Sequence, residues 1–424
     1  MNACECREYI DSAAFQEIAA RLYGKENMDA ARERWTNAVL EFVRIYGDND
    51  KITLFSTPGR TEIGGNHTDH NNGRVLAAAV NLDTIAVAAP NDRGVVTLQS
   101  EGFPMDSLSL DLLSPFPREN HTSAALIRGV AARMDALGMN IGGFDAYTTT
   151  NVLKGSGLSS SAAFEVLIAT IYDHFYNDGK LEPLAAAQIA QYAENVFFGK
   201  PCGLMDQTAC AYGGFVAIDF ADTARPVAEK VEFDFAKAGY ALVITDTRGD
   251  HANLTPEYAA IREEMQAVAA AFGKTVLREC TREEILANAG TLRGKVGDRA
   301  ILRALHFFDD NDRVGMQKAA LERGDMDTFL ALVNASGNSS WELLQNCFVA
   351  GTREQGVTLG LAVGRMVLGD AGACRVHGGG FAGTIQAFVP IEKTEAYRMA
   401  MDALFGKDSA KVLSIRSAGT IKIQ

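Results

Sequence analysis

The sequence predicts an α+β protein of two domains, and three observations carry that prediction. A chain of 424 residues exceeds what one hydrophobic core usually organises. Its 47% hydrophobic and 22% charged residues match folded globular material and neither a disordered nor a collagen-like composition. Helix-like and strand-like apolar patterns interleave without an internal repeat or low-complexity tract, which argues against a solenoid.

The same totals narrow the function. A net charge of −13 argues against general affinity for nucleic acid or anionic membrane, because phosphate backbones are bound mainly through excess Lys and Arg. A small-molecule ligand is expected instead. Met1 to Ile10 carries Glu5, Arg7 and Glu8, not a basic segment followed by an apolar one, so no secretory signal is read and a cytoplasmic location is expected. The best candidate for a membrane span, Val75 to Pro90, is interrupted by Asn81 and Asp83 and falls short of ~20 apolar residues. Cys4, Cys6, Cys202, Cys210, Cys280, Cys347 and Cys374 are dispersed, odd in number and never spaced as CxxC. Reduced thiols fit that pattern better than a disulfide framework or a zinc site.

Along the chain, an apolar strand from Ile52 to Phe55 leads into a polar loop, Pro58-Gly59-Arg60-Thr61-Glu62-Ile63-Gly64-Gly65-Asn66-His67-Thr68-Asp69-His70-Asn71. Its side chains suit hydroxyl groups: Asp accepts paired hydrogen bonds, His and Asn donate and accept, and Arg adds a fixed positive fork. His67, Asp69 and His70 as metal ligands, or a plain Asn/Gly/His turn, are the alternatives.

The next informative stretch, Asn151 to Ala163, joins Gly155-Ser156-Gly157-Leu158-Ser159-Ser160-Ser161 to an apolar helix through Ala162, Phe164, Val166, Leu167, Ile168 and Ile171. Glycines let successive N–H groups form an anion nest, and a helix N-terminus offers free N–H groups and a favourable dipole. A phosphate cradle or a Ser-rich helix cap both satisfy this pattern.

A further helix runs from about Pro183 to Phe198 and stops at Gly199 and Pro201. Glu194 lies within it, twelve residues before Asp206 in Cys202-Gly203-Leu204-Met205-Asp206-Gln207. An acidic group in an apolar, Gly-bounded segment is costly to bury unpaired, so Asp206 invites a cation or a substrate proton. Glu194 is a hard oxygen donor suited to Mg²⁺. A capping Asp before the helix at Gln207-Thr208-Ala209 is the alternative. Residues 213–240 hold the turn chemistry for passage between domains, divided as 1–220 and 221–424. Tyr240 to Thr245 reads as a buried strand, and Thr255-Pro256 starts a helix that ends near Phe272-Gly273.

His377-Gly378-Gly379-Gly380-Phe381-Ala382-Gly383 formally satisfies GxGxxG, but Thr384 to Val389 alternates like a strand and ends in Pro390. A strand, glycine loop and strand hairpin is expected there, not a dinucleotide fold. Gly290 to Lys295 is one residue short of a Walker A motif, and Gly157-Leu158-Ser159 fails the GxSxG nucleophile elbow.

These clusters, in this order, resemble the GHMP family of small-molecule kinases, and within it the galactokinases. Pro58-Gly59-Arg60 through His67-Thr68-Asp69 is similar to the galactokinase N-terminal motif, Gly155 to Ala163 to the ATP-phosphate loop, and Val376 to Gly383 to the third, glycine-rich motif. Cys202 to Gln207 resembles the segment that holds the catalytic aspartate. The resemblance extends from about Ile52 to the C-terminus. It implies an N-terminal domain like ribosomal protein S5 domain 2, a ferredoxin-like C-terminal domain, and an active site between them.

The implied activity is phosphorylation of a sugar's anomeric hydroxyl by ATP with Mg²⁺, galactose first. A galacturonate, N-acetylgalactosamine or arabinose kinase, or a non-catalytic sugar sensor, are the alternatives. By resemblance, Asp206 takes or polarises the hydroxyl proton and Arg60 holds Asp206 and the developing charge. Gly155, Ser156, Gly157, Leu158, Ser159, Ser160 and Ser161 cradle the ATP phosphates. Glu194 with Ser160 or Ser161 ligates Mg²⁺, and Asn66, His67, Asp69, Gly203 and Tyr258 meet the sugar. Two departures stand out: Asn66 replaces the family's Glu, which takes the sugar's 6-hydroxyl, and His70 replaces its Tyr. Leu153 stands where the family's phosphate motif usually has Pro. A monomer is the default expectation.

Overall fold

Two β-sheets organise the chain, as described by a computed structural model for residues 1–152, 157–249 and 254–424. The first sheet holds β1 (Thr53–Gly64), β2 (Arg74–Asn91), β3 (Val95–Ser100), β4 (Asp106–Ser109), β5 (Gly143–Thr150), β6 (Phe215–Asp219) and β7 (Val227–Val231). The second is formed by β8 (Tyr240–Asp246), β9 (Ala373–Val376), β10 (Thr384–Pro390) and β11 (Ala410–Leu413), after which β12 (Ile421–Lys422) returns to pair with β1. The order of the second sheet, β11-β8-β10-β9, with every pair antiparallel, is that of a ferredoxin-like sheet. Because β6 pairs with β7, the first sheet continues past residue 220 to Val231, and the chain crosses to the second sheet between Val231 and Tyr240.

The apolar run from Val75 to Pro90 is β2, the spine of the first sheet. It pairs with β1 along its length, with β6 at one end and with β5 at the other. Both faces are covered, which explains an apolar sequence without strict alternation. Ile52, Leu54, Ile85 and Val87 face the helices Ala3–Ile10, Ala13–Tyr23 and Met28–Tyr46, whereas Phe55, Ala86 and Ala88 face the helices Ser123–Ala136 and Ser160–Tyr176. Among the described residues no helix is long and apolar enough to cross a membrane.

Asp83, which interrupts this run, is a buried anchor. It accepts from Tyr23 at 2.7 Å, Arg34 at 2.5 Å, Ser56 at 2.5 Å and Arg416 at 3.1 Å. Burial alone would raise its pKa, but the two guanidinium charges outweigh that and hold it below the ordinary value.

Two local expectations need correction. The stretch from Pro58 to Gly64 is not loop: β1 runs through it, with irregularities between Pro58 and Arg60 and between Glu62 and Gly64. Its polar residues are stable in a strand because Gln386 and Arg375 of the second sheet supply partners for Thr61 and Glu62, and Asp206 supplies one for Arg60. Asp206 is not a helix cap either, since the helix is Met205–Tyr212, Leu204 occupies the cap, and Asp206 lies in the first turn. The hairpin of β9 and β10 around the glycine loop, and the helix Thr255–Ala270 with Pro256 in its first turn, follow the sequence reading.

Candidate active site

The helices Ser160–Tyr176 and Met205–Tyr212 pack on each other and on β1 and β2, which brings their first turns beside Arg60 of β1. Arg60 donates to Asp206 through both arms of its fork, Nε to Oδ1 at 2.7 Å and Nη2 to Oδ2 at 2.6 Å. Its remaining Nη1 donates to the Gly157 carbonyl, and its backbone N–H donates to the Leu158 carbonyl at 3.0 Å. Ser159 Oγ donates to Asp206 Oδ2. Burial pushes the Asp206 pKa up, but the Arg60 charge and the hydrogen bonds from Arg60 and Ser159 outweigh it and hold it below the ordinary carboxylate value. The carboxylate side chain stays 30% exposed, so the clamped anion remains reachable.

The Ser160–Tyr176 helix has no side-chain hydrogen bond at its N-terminus, which leaves first-turn N–H groups for an anion. Ser160 and Ser161 also line a cavity of about 530 Å³ bounded by Phe103, His121, Leu126 and Phe164. Leu153, Gly155 and Ser156 lie outside the described residues.

Glu194 sits where the helix from Pro183 widens into a π-helix over Ala193–Phe198, a distortion often found at functional sites. Its Oε1 accepts from Lys200 Nζ at 3.1 Å and Ser161 Oγ at 3.3 Å, and its Oε2 accepts from Gln207 Nε2 at 2.8 Å. A carboxylate beside a hydroxyl is the donor chemistry that Mg²⁺ takes when phosphates complete its shell, so these residues fit that ion. The Gln207 amide also donates to Glu165 Oε2 at 3.2 Å, while Glu165 Oε1 is buried with no hydrogen-bond partner among the described residues. Burial, and then the nearby Glu194 charge, push the Glu165 pKa well above the usual range.

On the other side of Asp206, the loop after β1 meets the segment before the Met205–Tyr212 helix. A Cβ on Gly203 would stand 2.6 Å from Asp69 Oδ2, so these residues are in direct contact. His67, at a backbone φ of 60°, donates from Nε2 to the Gly379 carbonyl at 2.9 Å. Burial and the neighbouring His70 push its pKa down to about 4, which keeps the ring neutral at pH 7 and leaves Nδ1 as an acceptor. Tyr258 donates to the Gly380 carbonyl at 3.1 Å and packs edge-on against Phe381. Its ring is so close to Gly379 that a Cβ there would lie 2.6 Å from Cε1. His67 and Tyr258 therefore meet at the glycine loop, and Asp69 and Gly203 meet each other. His67, Asp69 and His70 belong to no cluster of three or more metal-ligating side chains among the described residues.

Asn66 is the exception. It is fully buried, and its amide is used inside the protein: Nδ2 donates to Glu62 at 3.0 Å and the Gly378 carbonyl at 2.8 Å, while Oδ1 accepts from Asn346 at 2.8 Å and Ser340 at 3.3 Å. The role read for it, contact with a sugar's sixth carbon, is corrected by this geometry, because no polar capacity is left for a ligand.

Several contributors escaped the sequence reading. Arg375 of β9 pairs with Glu62 of β1 at 2.7 Å, both buried, and Thr61 meets His377 at 3.0 Å and Gln386 at 2.6 Å. These contacts join the two sheets directly behind Arg60. Lys200, Gln207 and Glu165 around Glu194 were also missed, although Gln207 is adjacent to Asp206.

Two family models match parts of the chain, and solved structures share its fold. Residues 125–214 match the GHMP kinases N terminal domain, and residues 40–90 match the galactokinase galactose-binding signature. Lactococcus lactis galactokinase, solved with galactose, is 26% identical, with a TM-score of 0.76 over 90% of this chain and 98% of that one. Methanococcus jannaschii mevalonate kinase is 14% identical, with a TM-score of 0.60 over 87% of this chain and 99% of that one. Streptococcus pneumoniae phosphomevalonate kinase, solved with phosphomevalonate and AMPPNP, is 12% identical, with a TM-score of 0.57 over 87% of this chain and 99% of that one. Residues 125–214 thus carry a GHMP kinase N-terminal domain and residues 40–90 a galactokinase galactose-binding signature, on the two-domain fold that the chain shares with solved GHMP kinases.

Proposed function

We propose that this protein transfers the γ-phosphoryl group of ATP to the anomeric C1 hydroxyl of galactose, giving galactose 1-phosphate and ADP. The observation that carries the reading is the two-armed grip of Arg60 on Asp206 at the uncapped start of the Ser160–Tyr176 helix. Phosphoryl transfer requires alignment and charge neutralisation more than covalent chemistry, and this constellation supplies both. The sugar hydroxyl, donating to Asp206, attacks the γ-phosphorus; the bond to the bridging oxygen of ADP breaks, and the proton passes through Asp206 to solvent. A carboxylate with a depressed pKa suffices, because in a loose transition state that proton leaves late.

Each remaining group has a task. First-turn N–H groups with Ser160 bind phosphate oxygens, and the cavity beside Phe103 and Phe164 accepts the nucleotide's base. Glu194 with Ser161 would hold Mg²⁺, which supplies charge neutralisation on the phosphates when bound. Asp69 and His67 accept from sugar hydroxyls, Gly203 leaves room for Asp69, and Tyr258 walls the pocket. A related sugar 1-kinase acting on galacturonate, N-acetylgalactosamine or arabinose is the second reading, favoured by the inward-turned Asn66.

A screen of purified protein with these sugars, ATP and Mg²⁺, read by ADP release and by NMR of the sugar phosphate, tests both. Phosphorylation of galactose above the others supports the first reading. Turnover of another sugar in its place moves the assignment to the second, and binding without turnover of any sugar removes the kinase activity.

A further inference from the structure

We propose that the Ser159 hydroxyl is a positioning group for Asp206, locking its carboxylate against Arg60, and does not bind phosphate. The inference rests on the sugar-kinase reading and departs from the role that Ser159 would have as one more member of a phosphate cradle.

Hydroxyl chemistry carries the argument. A serine has one O–H to donate, and an anionic phosphate oxygen can only accept. Ser159 commits that proton to Asp206 Oδ2, so it has none for a phosphate. A serine at a helix cap ordinarily turns its oxygen to a first-turn N–H, but Ser159 occupies the cap without such a bond. It also holds a left-handed backbone, φ 56° and ψ 64°, a conformation that is costly for a residue other than glycine and gathers at functional sites. Lost capping and a strained backbone are both accounted for by the aim at Asp206.

The contact also completes the occupancy of the carboxylate. A carboxylate offers about four acceptor positions. Arg60 Nε takes one on Oδ1, and Arg60 Nη2 and Ser159 take both on Oδ2. The remaining position among the described contacts is on Oδ1, and it directs the substrate hydroxyl there. Arg60 is itself tied to the carbonyls of Gly157 and Leu158, so residues 157–159, Arg60 and Asp206 form one closed ring of hydrogen bonds. Ser160 and Ser161, next in the chain, are left for phosphate and cation.

The test uses the full-length protein. Ser159→Gly suits the left-handed backbone and deletes the hydroxyl, while Ser159→Asn tolerates that backbone and restores a donor. With Ser159→Gly, kcat is expected to fall about tenfold or more while KM for ATP changes less than about twofold, and Ser159→Asn is expected to recover part of kcat. A KM for ATP raised about tenfold with kcat retained would mark a phosphate ligand and overturn the proposal, as would unchanged kinetics. Absence of wild-type turnover on every sugar would sink the kinase reading instead. The contact is then read by a double-mutant cycle of Ser159→Gly and Asp206→Asn in urea unfolding, where non-additive midpoints uphold it and additive midpoints overturn it.

Discussion

Asp69 Oδ2 lies 2.6 Å from the place a Cβ would take on Gly203, so the carboxylate of one segment rests on the bare backbone of another. The backbone N–H of His70 also holds Asp69 Oδ1, at 2.9 Å, which limits how far the carboxylate can swing away. Gly203→Ala is therefore expected to displace Asp69 and raise the sugar KM by about tenfold or more, with a smaller change in KM for ATP. Steady-state kinetics with each substrate varied in turn will show whether the effect falls on the sugar alone.

Asp206→Asn keeps the shape of the side chain but removes the charge that Arg60 grips and, in the proposed reaction, the acceptor for the substrate proton. The expected loss in kcat is about 10²-fold or more, with sugar affinity by calorimetry nearly retained. Because Arg60 and Ser159 hold the wild-type carboxylate ionised below the ordinary range, Asp206 contributes no titration to kcat between pH 5 and 8. An Asp206→Asn enzyme with wild-type kcat would dismiss this residue from the chemistry.

Glu165 yields a prediction about pH and stability. Burial raises its pKa in the folded state above the unfolded value, so the fold binds a proton that the unfolded chain releases. Its contribution is fully present below the unfolded pKa and is lost as pH rises toward the folded one. Glu165→Gln, which carries no titrating proton, is expected to melt above wild type at pH 8 and close to it near pH 4.5. Equal differences in Tm at the two pH values would contradict this.

His67 works in the opposite direction. Its folded pKa is pushed down to about 4, so between that value and the ordinary 6.5 the unfolded state holds more protons than the native state. Stability must then fall as pH drops from 6.5 toward 4, and His67→Gln is expected to flatten that part of the Tm profile.

The Glu62–Arg375 pair is fully desolvated, and burial raises the Glu62 pKa despite its partner. Arg375→Met leaves an uncompensated buried carboxylate and is expected to cost about 3–5 kcal/mol. The double substitution Glu62→Met with Arg375→Met should recover much of that loss. Urea denaturation of the two variants provides the comparison.

What could be read in the chain beforehand was chemistry with a local signal. The glycine and serine run before the Ser160–Tyr176 helix, the hairpin around Gly378 to Gly380 and the position of Asp206 depend on glycines, helix starts and alternation within a dozen residues. The orientation of Asn66 does not. Its amide is decided by Asn346, 280 residues away, and the polar end of β1 is stabilised by Arg375, 313 residues from Glu62. A window along the sequence sees an Asn in a polar loop; only the meeting of two sheets turns it inward. Ser159 shows the same limit, since its residue type and helix-start position fit a cap or a phosphate ligand, and its actual target is set by how two helices pack. The helices before Tyr46 were missed for a different reason. Their caps, Asn2 with Glu5 and then Ser12, were present in the sequence but attached to no chemistry.

On β1, Arg60 grips Asp206 while its neighbours Thr61 and Glu62 are bonded to the second half of the chain. The two halves of the protein are consequently not interchangeable parts. A chimaera that borrowed its C-terminal half from a relative lacking an arginine opposite Glu62 would inherit a stranded anion two residues from the group that clamps Asp206. Grafting a new second half onto this chain thus means transplanting Arg375, His377 and Gln386 with it, or rewriting β1 to match.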